Sequence, residues 1–157
     1  MNAKAVLRVA LLGFVVVAVV MIIRHEIAGG DRVGASDDAV AESLPADGLL
    51  VYYFHGDVRC PTCRTIEDCA RQAVDTGFAA EIESGQVTWQ VVNYEVPGNA
   101  HFIDQFELVS PTVVLVRREG GREVDWRNLA RVWELVGSPA ELVDYVQQET
   151  AQLLAAK

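Results

Sequence analysis

Residues 49–67 read LLVYYFHGDVRCPTCRTIE, a stretch that predicts a buried strand leading into a helix that begins at two cysteines. The run "LLVYYF" is continuously apolar and aromatic, which is typical of a strand buried on both faces. Pro61 directly follows Cys60, and proline is favoured at the first helical position because its missing N–H is not needed there. We therefore expect a strand inside a sheet, a loop, and a helix with Cys60 at its N-terminus.

The helix that begins at Pro61 is predicted to run toward Gly85, with an interruption at Gly77. Glycine favours helix ends because it adopts left-handed backbone conformations at little cost. The apolar residues recur at helical spacing and predict one buried side, formed by Ile66, Ala70, Ala73 and Val74.

The rest of the chain predicts three more strands and two more helices. "VTWQVVNYE" (87–95), "SPTVVLVRR" (110–118) and "REVDW" (122–126) are rich in residues that favour strands, and the tight turn "EGG" joins the last two. "AHFIDQFE" (100–107) predicts at most a short helix, and Ser138, Pro139 and Glu141 form a capping-box signature before a final helix. The order β-α-β-α-β-β-α implies a mixed sheet with flanking helices, an α/β fold.

This order of elements, the CxxC at the junction of first strand and first helix, and "SPT" before the third strand resemble the thioredoxin superfamily. In that family the proline before the third strand is cis and packs against the cysteine pair, so the resemblance implies this role for Pro111. More narrowly, "VYYFHGDVRCPTCRTIE", "VVNYEVPGNAHF" and "WRNLARVWELVG" resemble the ArsF family of small thioredoxin-like nitrophenyl-compound nitroreductase subunits. The narrower resemblance implies an electron-transfer subunit of a nitroreductase-type system.

The predicted position of Cys60 favours redox chemistry. Free N–H groups and the positive end of a helix dipole lower a thiol pKa from about 8.5 toward neutrality. Cys60 is then the exposed nucleophile, and Cys63, one turn deeper, resolves a mixed disulfide by attacking Cys60. Arg59 and Arg64 flank the pair and favour the thiolate, whereas Asp57 opposes them.

Proton transfer at the pair has two candidate acceptors. Thioredoxins carry a buried aspartate in the strand before the cysteines, but the strand "LLVYYF" has no acidic residue. His55 and Asp57 lie between this strand and Cys60, and histidine titrates in the useful range. We therefore predict His55 or Asp57 as the possible proton acceptor, with water as a further candidate.

Three other interpretations of the cysteine pair stay open. In the first, Cys60 and Cys63 are an inert structural pair. In the second, they belong to a non-enzymatic docking subunit of a membrane reductase complex. In the third, they are the thiolate ligands of a metal carrier. Together with Cys69 and His55 they are enough in number for tetrahedral zinc, but a second close pair is missing. Cys69 lies half a turn round the helix from Cys60 and is interpreted as a small buried hydrophobe. We therefore predict no bound metal. We also predict no cofactor, since the sequence contains no flavin or nicotinamide fingerprint.

The N-terminus predicts a membrane element. Residues 9–23 carry no charge, and residues 1–27 are interpreted as an uncleaved anchor, with a cleaved signal as the alternative. Residues 28–47 are small, acidic and turn-forming and predict a linker, and residues 48–157 predict the thioredoxin-like domain. We expect a single-pass membrane protein with its domain on the extracytoplasmic side, acting on a membrane-associated protein dithiol or disulfide.

Charge and cysteine count exclude other classes. Lysine and arginine total 13 against 22 acidic residues, a net charge of −9, so most of this surface repels a phosphate backbone and we expect no nucleic acid partner. Three cysteines in 157 residues are too few for a disulfide scaffold, and the odd number leaves at least one outside any pair within the monomer.

Overall fold

The computed structural model describes residues 44–156, which cover the predicted domain except its last residue. The predicted anchor, residues 1–27, and residues 28–43 of the predicted linker lie outside the described residues. Within residues 44–156, no helix is both long enough and apolar enough to cross a membrane.

Within residues 44–156, four strands and five helices follow one another in the predicted order, with two short helices, α2 and α4, added to it. They are β1 (Gly48–His55), α1 (Pro61–Gly77), α2 (Ala79–Glu83), β2 (Val87–Asn93), α3 (His101–Gln105), β3 (Thr112–Glu119), β4 (Arg122–Asn128), α4 (Val132–Leu135) and α5 (Pro139–Ala155). A 3₁₀ turn, Pro97–Asn99, precedes α3.

The strands form one mixed sheet in the order β2-β1-β3-β4. β1 pairs with β2 in parallel, whereas β3 is antiparallel to both β1 and β4. This confirms the predicted mixed sheet with flanking helices. Because Phe54 is in register with Thr112, the end of β1 and the start of β3 lie at the same edge of the sheet. The loop to Cys60 and the segment that ends at Pro111 therefore meet at that edge.

β1 is buried on both faces, as its apolar run predicts. Successive side chains of a strand point to opposite faces, so its residues divide between two core clusters. Leu49, Val51 and Tyr53 pack with α1 and α5 in the first cluster. The second cluster, on the opposite face of the sheet, contains Leu50, Tyr52, Phe54, Phe106, Leu108, Val114 and Val116.

α1 buries the side that its apolar spacing predicts, since Ile66, Ala70, Ala73 and Val74 are all fully buried. The helix ends at Gly77, where Phe78 donates its N–H to the carbonyl of Val74. A Cβ at position 77 would lie 2.9 Å from the amide nitrogen of Gln147 on α5. A larger residue here would displace the Gln147 side chain, and the predicted interruption at Gly77 is confirmed.

The start of α5 corrects one prediction. The helix begins at Pro139 and Ser138 is its N-cap residue, but the Ser138 side chain makes no capping hydrogen bond. A capping box also needs the N-cap N–H as donor to the glutamate. The N–H of Ser138 instead donates to the carbonyl of Leu135 at 2.8 Å, which closes the turn after α4. The predicted capping box with Glu141 is therefore wrong.

Candidate active site

Cys60 and Cys63 form a disulfide bond, with their Cα atoms 5.0 Å apart. Cys60 is the N-cap residue of α1, and its Sγ accepts the N–H of Cys63 at 3.0 Å. Cys60 is partly exposed, whereas Cys63 is only 4% exposed. This arrangement confirms the predicted helix N-terminus, with one accessible cysteine and one deeper cysteine.

Cys69 is a free thiol that lies inside the protein. It packs in the first core cluster with Ile66 and Ala73, as expected for a small buried hydrophobe. Burial, followed by the negative charge of Asp68, raises the pKa of the Cys69 thiol. A raised pKa lowers the thiolate fraction, so Cys69 is a poor nucleophile near neutral pH. In the part of the chain that the structure describes, no group of three or more His, Cys, Asp or Glu side chains is arranged to hold a metal ion.

Tyr53 connects the sheet to the cysteine pair. Its side chain is fully buried, and its hydroxyl donates a hydrogen bond to the carbonyl of Cys63 at 2.6 Å. Burial raises the pKa of Tyr53 to about 12, so the hydroxyl keeps its proton at physiological pH. The sequence pattern predicts Tyr53 only as part of an apolar strand. Because a buried tyrosine hydroxyl usually finds a hydrogen-bond partner, a tyrosine in a buried strand indicates such a contact, but the sequence does not indicate with which residue.

Arg59 and Arg64 differ in how they are placed beside the pair. Arg59 lies over the ring of Tyr53, with its guanidinium carbon 5.9 Å from the ring centroid, and forms an ion pair with Glu67. Its charge is therefore balanced by a carboxylate. Arg64 is exposed. Both arginines, with Glu67 and Asp68, line an open surface pocket of about 410 Å³.

The loop before Cys60 is held by the last residue of β2 and by the turn that follows it. The N–H of Asp57 donates to the carboxylate of Glu95 at 2.8 Å, and the Asp57 carboxylate accepts the side-chain N–H of Asn93 at 2.7 Å. Nδ1 of His55 lies 2.7 Å from the carbonyl oxygen of Gly56. Among residues 44–156, neither His55 nor Asp57 forms a hydrogen bond with a cysteine sulfur, so their role as proton acceptors stays a prediction.

Pro111 immediately precedes β3, at the sheet edge where the loop to Cys60 also lies. No peptide bond within residues 44–156 is cis, so the bond before Pro111 is trans, where the resemblance implied a cis bond. Trans is the lower-energy isomer of an X–Pro bond by about 0.5–1 kcal/mol. The carbonyl of Pro111 accepts the indole N–H of Trp133 at 2.8 Å, which connects the start of β3 to α4. A direct role of Pro111 in exchange stays a prediction.

No family model matches the chain, and no curated protein matches it. Solved structures with some similarity include human ERp44 in its zinc-bound form, with 19% identity, a TM-score of 0.49, and coverage of 71% of this chain and 29% of that chain. The Malassezia sympodialis thioredoxin Mala s 13 has 17% identity and a TM-score of 0.45 over 72% of this chain and 87% of its own. Arabidopsis thaliana thioredoxin O2 in the oxidized state has 16% identity and a TM-score of 0.46, over 74% of this chain and 88% of its own. This chain thus spans less than a third of the ERp44 chain and most of each of the two thioredoxins.

Proposed function

We propose that the chain is a thiol–disulfide oxidoreductase that exchanges electrons with a protein partner through Cys60 and Cys63. The observation that carries this proposal is the disulfide between these two cysteines at the N-terminus of α1. The helix end stabilises a thiolate at Cys60, which is the form of cysteine that attacks a disulfide. The second cysteine lies one turn further along, within bonding distance of the first.

The reaction transfers two electrons. In the reduced protein, the Cys60 thiolate attacks one sulfur of the partner's disulfide, forms a mixed disulfide and releases one partner thiolate. Cys63, as its thiolate, then attacks Sγ of Cys60, closes the Cys60–Cys63 bond and releases the second partner thiolate. The two protons given up by Cys60 and Cys63 balance those taken up by the partner's thiols. Run in reverse, the same steps oxidise a partner dithiol.

The surface beside Cys60 supports a protein partner. Val58 and Val109 are the two most exposed large apolar side chains among the described residues, at 80% and 93% exposure. Val58 stands two residues before Cys60, and Val109 stands two residues before Pro111, so both flank the same edge of the sheet. Exposed apolar side chains next to a reactive group favour contact with another protein.

We also propose that residues 1–27 anchor this domain to a membrane as a single-pass protein with the domain on the extracytoplasmic side. The uncharged run at residues 9–23 supports the anchor. The resemblance to the ArsF family supports an electron-transfer subunit of a nitroreductase-type system, with a membrane-associated partner. The alternatives are a non-enzymatic docking subunit of a membrane reductase complex and a thiolate carrier of zinc or copper(I).

Replacement of Cys63 by alanine tests the proposal, because the mixed disulfide on Cys60 can then no longer be resolved. Full-length Cys63→Ala is expressed in the native host, free thiols are blocked, and species bound to Cys60 are separated without reductant. We expect specific proteins that are released by dithiothreitol and that occur in the membrane fraction. Their yield should exceed that of the wild type by about tenfold or more, since the intramolecular resolving step is lost.

The matched control carries Cys60→Ser together with Cys63→Ala. Partners that remain bound to this double variant without a covalent bond would favour the docking subunit. Zinc or copper bound to the wild type and lost from the double variant would favour the metal carrier. Cys60 found unmodified in every fraction of Cys63→Ala would contradict the oxidoreductase proposal.

A further inference from the structure

One side chain of β1, that of Tyr53, contacts three parts of the redox site. Its hydroxyl donates to the carbonyl of Cys63, its ring face lies under the guanidinium of Arg59, and its ring stacks with that of His55 at a centroid distance of 6.2 Å. Tyr53 is fully buried and belongs to the first core cluster. Tyr53 therefore connects the central strand to the loop before Cys60 and to the first turn of α1.

The backbone of Cys63 is held on both sides by these contacts. Its N–H donates to Sγ of Cys60 at 3.0 Å, and its carbonyl accepts the Tyr53 hydroxyl at 2.6 Å. The first contact depends on the sulfur of Cys60, which forms new bonds during exchange. The second contact starts from the sheet and involves neither sulfur, so it can persist in the oxidised, reduced and mixed-disulfide forms.

The hydroxyl is suited to this constant role. Burial raises the pKa of Tyr53 to about 12, so it stays a neutral donor over the pH range in which thiols exchange. The carbonyl of Cys63 has a second lone pair for its helical partner, since one carbonyl oxygen can accept two hydrogen bonds. Loss of the hydroxyl therefore leaves the helix able to form and changes mainly how firmly its first turn is fixed to β1.

We propose that Tyr53 is a positioning residue for the resolving step, and that its hydrogen bond to the carbonyl of Cys63 keeps Cys63 within reach of Sγ of Cys60 in the mixed disulfide. This inference rests on the proposed function. An intramolecular attack depends steeply on geometry, so a small displacement of Cys63 slows this step. The first attack, by Cys60 on the partner, does not use the Cys63 sulfur, and the contact affects it only through the N–H that Cys63 donates to Sγ of Cys60.

Tyr53→Phe removes the hydroxyl and keeps the buried ring. The matched control is Tyr52→Phe, which removes a hydroxyl from the adjacent residue of the same strand, where the side chain points into the second core cluster. All proteins are full length and carry Cys69→Ala, so that Cys60 and Cys63 are the only thiols that can react with the reagent. Each reduced protein is mixed with slightly less than one equivalent of 5,5′-dithiobis(2-nitrobenzoate), and release of thionitrobenzoate is followed by stopped-flow absorbance.

The two steps release one thionitrobenzoate each. Attack by Cys60 gives the first and leaves a mixed disulfide, and attack by Cys63 on Cys60 gives the second and closes the Cys60–Cys63 bond. For Tyr53→Phe we expect a first phase within about twofold of the parent protein and a second phase slowed by about tenfold. Tyr52→Phe should match the parent protein in both phases.

The outcomes separate this inference from the proposed function. Equal second phases in Tyr53→Phe and the parent protein, or an equal slowing of both phases, would overturn the positioning role while exchange itself still stood. A parent protein that shows no second release would overturn the proposed function, and the positioning role with it.

Discussion

Replacing Cys60 by serine is expected to lower the rate of thiol–disulfide exchange to the background level, a loss of about 10³-fold or more. Cys60 is the accessible member of the pair and lies at the N-terminus of α1, where a thiolate is stabilised. A serine hydroxyl at this position stays protonated and does not attack sulfur. Cys63 is only 4% exposed and cannot take over the first step with a protein disulfide. The rate is measured from the reaction of the reduced full-length protein with a chromogenic disulfide.

The control for Cys60→Ser is Cys69→Ala, which removes a thiol on the same helix that is buried in the first core cluster. We expect Cys69→Ala to keep exchange within about twofold of the wild type, because a buried thiol of raised pKa does not compete as a nucleophile. The disulfide closes a very short loop, so its loss costs only about 2 kcal/mol of stability in the chain-entropy picture. Cys60→Ser should therefore stay folded. A folded Cys60→Ser protein that kept wild-type exchange would remove Cys60 from the mechanism.

The largest loss of stability is expected from Phe106→Ala, at about 3–5 kcal/mol. Phe106 is fully buried and its ring centroid lies within 5.5–6.3 Å of four others, those of Tyr52, Phe54, Phe102 and Trp126. Its removal leaves a cavity and breaks several aromatic pairs, which are each worth about 0.5–1.5 kcal/mol beyond area burial. Thermal unfolding of the reduced protein should occur at least about 10 °C lower than in the wild type.

Ile103→Ala on α3 provides the comparison, because Ile103 is 36% exposed and lies three residues before Phe106. We expect it to cost less than about 1 kcal/mol. Phe106 packs on the second core cluster, whereas Tyr53 and α1 belong to the first. At a temperature where Phe106→Ala is folded, its exchange rate should therefore match that of the wild type. Equal losses of stability in the two variants would contradict the central place of Phe106 in this cluster.

The central strand and the start of α1 were predictable because local chemistry decides them. A continuously apolar and aromatic run is typical of a strand buried on both faces, and proline directly after Cys60 is typical of the first position of a helix. Helical spacing likewise predicts that Cys69 lies in the core, because it places Cys69 on the side of the helix opposite Cys60. These features depend on neighbours within a few residues of each other.

The contacts that organise the site were not predictable in the same way. Tyr53 reaches a carbonyl 10 residues ahead and Trp133 reaches the carbonyl of Pro111 22 residues back, and both bonds depend on how α1 and α4 are placed on the sheet. Ser138 is the reverse case, a contact that the sequence predicts and that does not form. Its local pattern predicts a capping box, but α4 ends at Leu135, three positions earlier, and the Leu135 carbonyl accepts the N–H that the box requires.

The most direct test of the central claim is the reduction potential of the Cys60–Cys63 pair in the full-length protein. The protein is equilibrated with graded ratios of oxidised and reduced dithiothreitol or glutathione, quenched in acid and alkylated, and the alkylated fraction is measured by mass spectrometry. An exchanging pair should titrate as one two-electron couple, with a midpoint between about −120 and −270 mV, the range of CxxC oxidoreductases. A disulfide that stays closed below about −300 mV would be a structural bond and would contradict the proposed function.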